Sequence, residues 1–275
     1  MFGISSWRRR AVLETDENRL LSLLDRRSSI DPLKALVSAM GSTSAKRDTR
    51  LSEIAIGLDS SVFLRLGQRA GADIVDYLDA EHPAPIILPG QAIQEFWNNQ
   101  LSVVDTISTS LKKKYDALRS ELVKVDNNFG DFCARMERLL DDFEAQYGFI
   151  YDESTKRTAV KLLETLQRKA IVPYVSRSIF HDVAANRKRT RTPPGFEDNR
   201  DGDFFIWADF LSGLLQSKAQ GRQFSHAIIV THDKKIDWSR AGTAHPVLVA
   251  EVSALVDVSF ELWDIQRLTS AIEGR

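Results

Sequence analysis

The sequence predicts an α/β fold: a central, largely parallel sheet flanked by helices, with a long helical-hairpin insertion and an N-terminal helical extension. Three observations lead there. The short apolar runs Ile54-Ala55-Ile56-Gly57-Leu58, Ile86-Ile87-Leu88 and Ala227-Ile228-Ile229-Val230 each stop at a polar turn. The first two turns lead into helical spacing, and strands apolar on both faces that alternate with helices indicate a parallel sheet covered on both sides. A stripe from Val103 through Leu111, Leu118, Leu122, Met136 and Leu139 to Tyr147 then advances in steps of three and four, the mark of one buried helical face.

Taken in order, residues 1–50 form the extension. Leu20, Leu21, Leu23 and Leu24, then Leu33, Leu36, Val37 and Met40, have helical spacing, and Asp31-Pro32 is a favourable helix start. Gly41-Ser42-Thr43-Ser44 reads as a linker, so the main domain is expected over 51–275. The stripe falls in an insertion at about 101–150. One straight helix from 103 to 147 would be about 66 Å long at ~1.5 Å per residue, too long for a compact domain. A break at Asn127-Asn128-Phe129-Gly130-Asp131 folds it into a hairpin. Core packing is the expected use of its apolar face, with a partner-binding coiled coil as the alternative. Ile171, Val172, Tyr174 and Val175 suggest a further strand interrupted by Pro173. Pro246 opens a helix, Val258, Phe260 and Leu262 alternate as a strand, and a last helix closes the chain from Ile265 to Ile272.

Composition narrows the function. The chain has 275 residues, 43% hydrophobic and 27% charged, with a net charge of −1. That is the balance of a soluble globular protein. Cys133 is the single cysteine, which excludes an internal disulfide and a cysteine-built zinc site. No apolar run approaches the ~20 residues of a membrane span, and Arg8, Arg9 and Arg10 lead into acids, not a signal-peptide core. A cytoplasmic protein with no membrane partner is expected. Charge is uneven: Arg187, Lys188, Arg189 and Arg191 precede the acidic stretch Glu197, Asp198, Asp201 and Asp203. A basic run is by default a solvated loop.

Asp59 and Asp233 each follow a strand, and in open α/β sheets ligands bind at the carboxyl ends of strands. Glu95 lies about one turn into the helix after the second strand, and Asp203 begins an apolar helical run. Singly, each acid could be no more than a helix cap or a first-turn charge favoured by the helix dipole. Together at one point they would repel, by roughly 4 kcal/mol for a pair ~4 Å apart at an effective dielectric of 20. A hard divalent cation held by oxygen ligands offsets that repulsion. A covalent mechanism is less attractive, because Ser60 and Ser61 have no histidine signature beside them. An aspartyl-phosphate phosphatase would need a second acid two positions after Asp59, where Ser61 stands.

Three separated motifs carry a family resemblance. Leu58-Asp59-Ser60-Ser61-Val62-Phe63-Leu64, then Leu88-Pro89 through Gln94-Glu95-Phe96-Trp97-Asn98-Asn99, then Gly202-Asp203-Phe204-Phe205-Ile206-Trp207 with Ile229-Val230-Thr231-His232-Asp233-Lys234-Lys235-Ile236-Asp237-Trp238, resemble the PIN-like domains long grouped as an uncharacterised bacterial family. The resemblance runs from about residue 51 to 275. It implies a metal-dependent nuclease hydrolysing phosphodiester bonds, RNA favoured over DNA, with Asp59, Glu95, Asp203 and Asp233 as catalytic, metal-binding acids. Mg²⁺ or Mn²⁺ would be the cofactor. Asp237 would be a fifth or supporting acid and Asp198 a weaker one. Arg187, Lys188, Arg189, Arg191 and Lys234, with Lys235 beside it, would hold substrate phosphates, contacts that give affinity without sequence choice. Two departures are visible. His232 stands where relatives often carry an acidic or small polar residue, and Ser239 follows Trp238 where a second tryptophan is common. His232 is expected to support the site, not to bind metal. A catalytically inactive module binding nucleic acid or protein is the alternative reading. A homodimer or an antitoxin-type protein partner is left open, since no residue selects either.

Overall fold

In chain order the strands are β1 (Ile54–Leu58), β2 (Ile86–Ile87), β3 (Ala170–Ile171), β4 (His226–Val230), β5 (Ser239–Arg240), β6 (Thr243–Ala244) and β7 (Ser259–Trp263). The computed structural model describes residues 16–41, 50–62, 71–101, 108–122, 131–147 and 153–274. Five strands form one sheet in the order β3-β2-β1-β4-β7, and every pairing in it is parallel. The predicted α/β architecture is therefore the observed one. β1 and β4 are its centre, paired from Ile54↔His226 to Leu58↔Val230 and buried at every position. Both faces of these strands are covered, which is why they read as unbroken apolar runs and not as alternating ones.

The order of the strands sets where a ligand can enter. From β1 the chain steps outward to β2 and β3, then returns to the other side of β1 as β4. The connections leaving β1 and β4 therefore diverge, and a crevice opens at their carboxyl ends. The helix Gly202–Ala219 packs against this centre, buried over most of its surface. Gly57 in β1 makes the approach possible, because a Cβ there would lie 2.6 Å from the Phe210 ring. Trp207 and Phe210 meet Phe260 of β7 at ring distances of 5.2 and 6.0 Å. Aromatic pairs at such distances contribute about 0.5–1.5 kcal/mol each beyond their buried area.

Elsewhere the structure departs from the expectations in instructive ways. The run beginning at Ile171 pairs with β2 only through Ala170–Ile171. Pro173 has no N–H to extend the ladder; its carbonyl instead accepts from Gly90 N at 2.9 Å. Ser239–Arg240 and Thr243–Ala244 form a small antiparallel hairpin absent from the sequence reading, turned by Ala241 and Gly242, both at positive φ. Of the long stripe, the helices Ser108–Leu122 and Phe132–Tyr147 pack on each other, with Tyr115 donating to the Leu140 carbonyl and Arg119 pairing with Asp141. Of the break expected over 127–131, only Asp131 lies among the described residues. The stripe is not wholly buried: Leu122 is covered, but Leu118, Phe132 and Leu139 are exposed. Two helices leaning on each other cover a narrow seam, which is less than the width of the predicted face.

Residues 16–24 are helical, and Leu20, Leu23 and Leu24 join the same core as the sheet. The next helix, Pro32–Gly41, packs along Pro246–Val256. Helix Pro246–Val256 starts as foreseen, with Pro246 in its first turn and the His245 ring accepting from Val247 N. Among the described residues no helix is long and apolar enough to cross a membrane.

Candidate active site

At the carboxyl ends of β1 and β4 the chain turns sharply, and side chains from both turns share hydrogen bonds. Asp59 follows β1, and its N–H donates to the Val230 carbonyl at 3.1 Å. Its Oδ2 accepts from Ser61 Oγ and from Thr231 Oγ1, each at 2.7 Å. Thr231 is the first residue after β4, so this bond ties the two strand ends together. Glu95 reaches the same place from the end of helix Gly90–Glu95, its Oε1 accepting from Gln91 Nε2 at 3.0 Å. Ser60 Oγ stands 3.3 Å from Asp59 Oδ1 and 3.4 Å from Glu95 Oε2. A hydroxyl has one proton to give, so it serves one of these acids at a time. The start of the helix Gly202–Ala219 closes on this group: a Cβ on Gly202 would sit 2.2 Å from Glu95 Oε1.

Asp203, in the first turn of that helix, accepts from Trp238 Nε1 at 2.9 Å. Asp233 accepts from the N–H of Lys235 at 2.8 Å, a local turn that aims the lysine back into the site. Lys235 Nζ then lies 2.6 Å from Asp198 Oδ2, 2.9 Å from Asp233 Oδ2 and 3.2 Å from Asp203 Oδ2. All four acids singled out from the sequence thus line one open cavity of about 730 Å³, together with Asp198 and Asp201. Among the described lining residues, these six carboxyl groups are accompanied by two lysine or arginine side chains, Lys235 and Arg200.

The surplus of carboxyl groups shows in their acidities. Burial pushes Asp203 up to about 8, helped by a hydrogen bond to Asp198 and opposed by Trp238 and Lys235. Burial also raises Glu95, with Asp59 adding to it against the bonds from Gln91 and Ser60. Partial burial pushes Asp198 up too, but its hydrogen bonds to Asp203 and Lys235 outweigh that and hold it low. Lys235 is pulled down by burial and raised further by Asp198 and Asp233, so it stays an ammonium.

The four acids do not meet as a single cluster, as the sequence reading had supposed. Among the described residues no three His, Cys, Asp or Glu side chains stand ready to hold a metal ion. Asp59 and Glu95 gather around Ser60, whereas Asp203, Asp233 and Asp198 gather around Lys235. In the second group the ammonium offsets the mutual repulsion of the carboxylates.

The basic residues fare differently from one another. Arg187 is a correction: its side chain is buried, donating to Glu251 Oε1 at 2.7 Å and to the carbonyls of Leu24 and Pro193. It cannot present itself to a substrate. Asp237 is a second correction, fully buried outside the cavity, where its Oδ2 accepts from the N–H groups of Gly195 and Glu197. Lys188 pairs with Asp201 at 3.6 Å, Arg191 pairs with Glu197 at 2.9 Å and lies over Phe196, and Arg189 and Lys234 are exposed. None of Lys188, Arg189, Arg191 or Lys234 lines the cavity. His232 does line it, and its N–H donates to Ser61 Oγ at 3.1 Å. Sequence reasoning passed over Ser60 as a bridge, Thr231 as a tie and Arg200 as a lining cation.

Residues 178–249 match the family model of a PIN like domain. The matched segment carries Asp198, Asp203, Asp233 and Lys235, whereas Asp59 and Glu95 lie before it. No curated protein and no solved structure matches the chain. The match and the five-stranded parallel sheet together support a PIN-like domain family.

Proposed function

We propose that this PIN-like protein is a metal-dependent nuclease that hydrolyses phosphodiester bonds, RNA in preference to DNA, in the cavity at the ends of β1 and β4. The observation that carries the reading is the sharing of one cavity by Asp59, Glu95, Asp203 and Asp233 with far more carboxyl groups than cations. Most of the metal-suited donors lining the cavity are carboxylate, hydroxyl or amide oxygens, the set that suits Mg²⁺ or Mn²⁺, with His232 the one imidazole among the described lining residues.

Asp59 and Glu95 would hold the cation, with Asp203 and Asp233 across the same cavity. When bound, such an ion polarises a phosphoryl oxygen and lowers the pKa of its water. The chain's own residues do the rest. Ser61 and Thr231 hold Asp59 Oδ2 in place, and Gln91 does the same for Glu95 Oε1. Arg200 on the lining, with Arg189 nearby in sequence, would draw in the phosphate backbone. In hydrolysis the water oxygen bonds to phosphorus, the ester P–O bond breaks, and the leaving oxygen takes up a proton.

A panel of labelled RNA and DNA oligonucleotides with Mg²⁺, Mn²⁺ or EDTA tests this. The expected result is cleavage of RNA that EDTA stops and that Asp203→Asn lacks. Cleavage that survives EDTA, or equal activity in Asp203→Asn, would refute the reading.

A further inference from the structure

The cavity has two halves of unlike chemistry. Around Asp59 and Glu95, among the described residues, the hydrogen bonds come from hydroxyl and amide donors, Ser60, Ser61, Thr231 and Gln91, with no lysine or arginine paired to either acid. Around Asp203 and Asp233 an ammonium is already in place. Lys235 Nζ contacts Asp198 Oδ2, Asp233 Oδ2 and Asp203 Oδ2 at 2.6, 2.9 and 3.2 Å. An ammonium has three donors, and these contacts use all of them.

The lysine is also fixed from its backbone end. Its N–H donates to Asp233 Oδ1 at 2.8 Å, so one carboxylate grips both ends of the residue. Asp203 is in turn held by Trp238 Nε1 at 2.9 Å, which keeps its Oδ2 turned toward the lysine. Three carboxylates from two loops and a helix start thus converge on a compact +1 charge, where a metal ion would otherwise be needed.

We propose that Lys235 is the resident cation of this half, and that the site therefore takes a single divalent ion, at the Asp59 and Glu95 half. This rests on the nuclease reading and sharpens it. In two-ion phosphodiesterases a pair of cations about 3.5–4 Å apart shares the charge of the attacking and leaving oxygens. Here the ammonium supplies the second positive charge. When a phosphate enters, it competes with the carboxylates for the lysine's N–H donors, so Lys235 acts on the substrate directly.

Binding of Mn²⁺ to the full chain, followed by calorimetry and by the loss of the free-ion spin-resonance signal, tests the proposal without relying on cleavage. Wild type should bind a single ion, Lys235→Met should gain a second, and Lys235→Arg should stay at one. A second ion in wild type overturns the proposal and leaves the nuclease reading standing. A Lys235→Met protein that still binds one ion overturns it equally. If that variant does not fold, the wild-type stoichiometry decides alone. No ion bound by wild type, together with no cleavage, would instead bring down the nuclease reading beneath it.

Discussion

Two groups of charged side chains in this protein are built from the same residue types and have opposite characters. One surrounds Glu251, which is fully buried in helix Pro246–Val256. Its oxygens accept from Arg26 at 2.6 Å, from Arg187 at 2.7 Å and from Trp207 Nε1 at 2.7 Å. The other is the cavity at the ends of β1 and β4, where six carboxyl groups face Lys235 and Arg200. The first centres on a buried carboxylate paired with two arginines. The second is open and, among the described residues, lined by more acids than cations. A charged cluster paired within the core holds the fold together, while one with surplus acids at a sheet's switch point is poised for a ligand.

The contrast can be broken from either side. The largest effect on stability should come from Glu251→Ala. Removing one member of a buried ion pair leaves the others uncompensated and costs about 3–5 kcal/mol. Denaturant unfolding should show that loss, with Arg187→Ala close behind. Asp59→Asn should do the reverse. It relieves repulsion, so unfolding should be unchanged or slightly more difficult, while cleavage falls on the order of 10²–10³-fold, the several kcal/mol a Lewis-acidic ion supplies. A cavity variant that unfolds the protein, or a Glu251 variant that only slows cleavage, would erase the distinction.

A smaller effect follows from Asp203. Its acidity in the folded protein lies near 8, above the 3.8 of the free side chain, so the native state holds a proton that the unfolded chain releases. Stability is then greatest at low pH and declines as pH rises from about 4 toward 8. Glu95 shifts in the same direction, and Asp198 in the opposite one at the acid end of the range. Metal-free protein should therefore melt at a lower temperature at pH 8 than at pH 6, and Asp203→Asn should flatten that slope. The smallest effect is expected from Arg200→Ala: stability within about 0.5 kcal/mol of wild type, weaker RNA binding, and a salt dependence reduced by about one phosphate contact.

The same contrast explains what could be read in advance. β1 and β4 were legible because burial on both faces leaves an unbroken apolar signature, and Asp59 and Asp233 were legible because each ends such a run. The first-turn position of Asp203 was legible from the apolar helix behind it. Arg187 was misread because its partner lies 64 residues away, and nothing local separates a buried arginine from one in a solvated run. Asp237 was misread for a similar reason, since it bonds to N–H groups about 40 residues earlier. The short pairing of β3 turned on Pro173, which was visible. The Ala241-Gly242 turn carried only a weak signal, lacking the usual Asn-Gly pair. Lys235 was the subtlest, because its role depends on three acids converging from separate segments.

The most direct test of the surplus-acid account is the melting temperature with and without Mn²⁺, measured on wild type and Asp59→Asn side by side. At about a hundred times its dissociation constant, an ion that binds only the folded state adds about 2.7 kcal/mol, a rise of several degrees for a chain of this size. The account predicts that rise in wild type and its loss in Asp59→Asn. No rise in wild type, or an equal rise in both proteins, would contradict it.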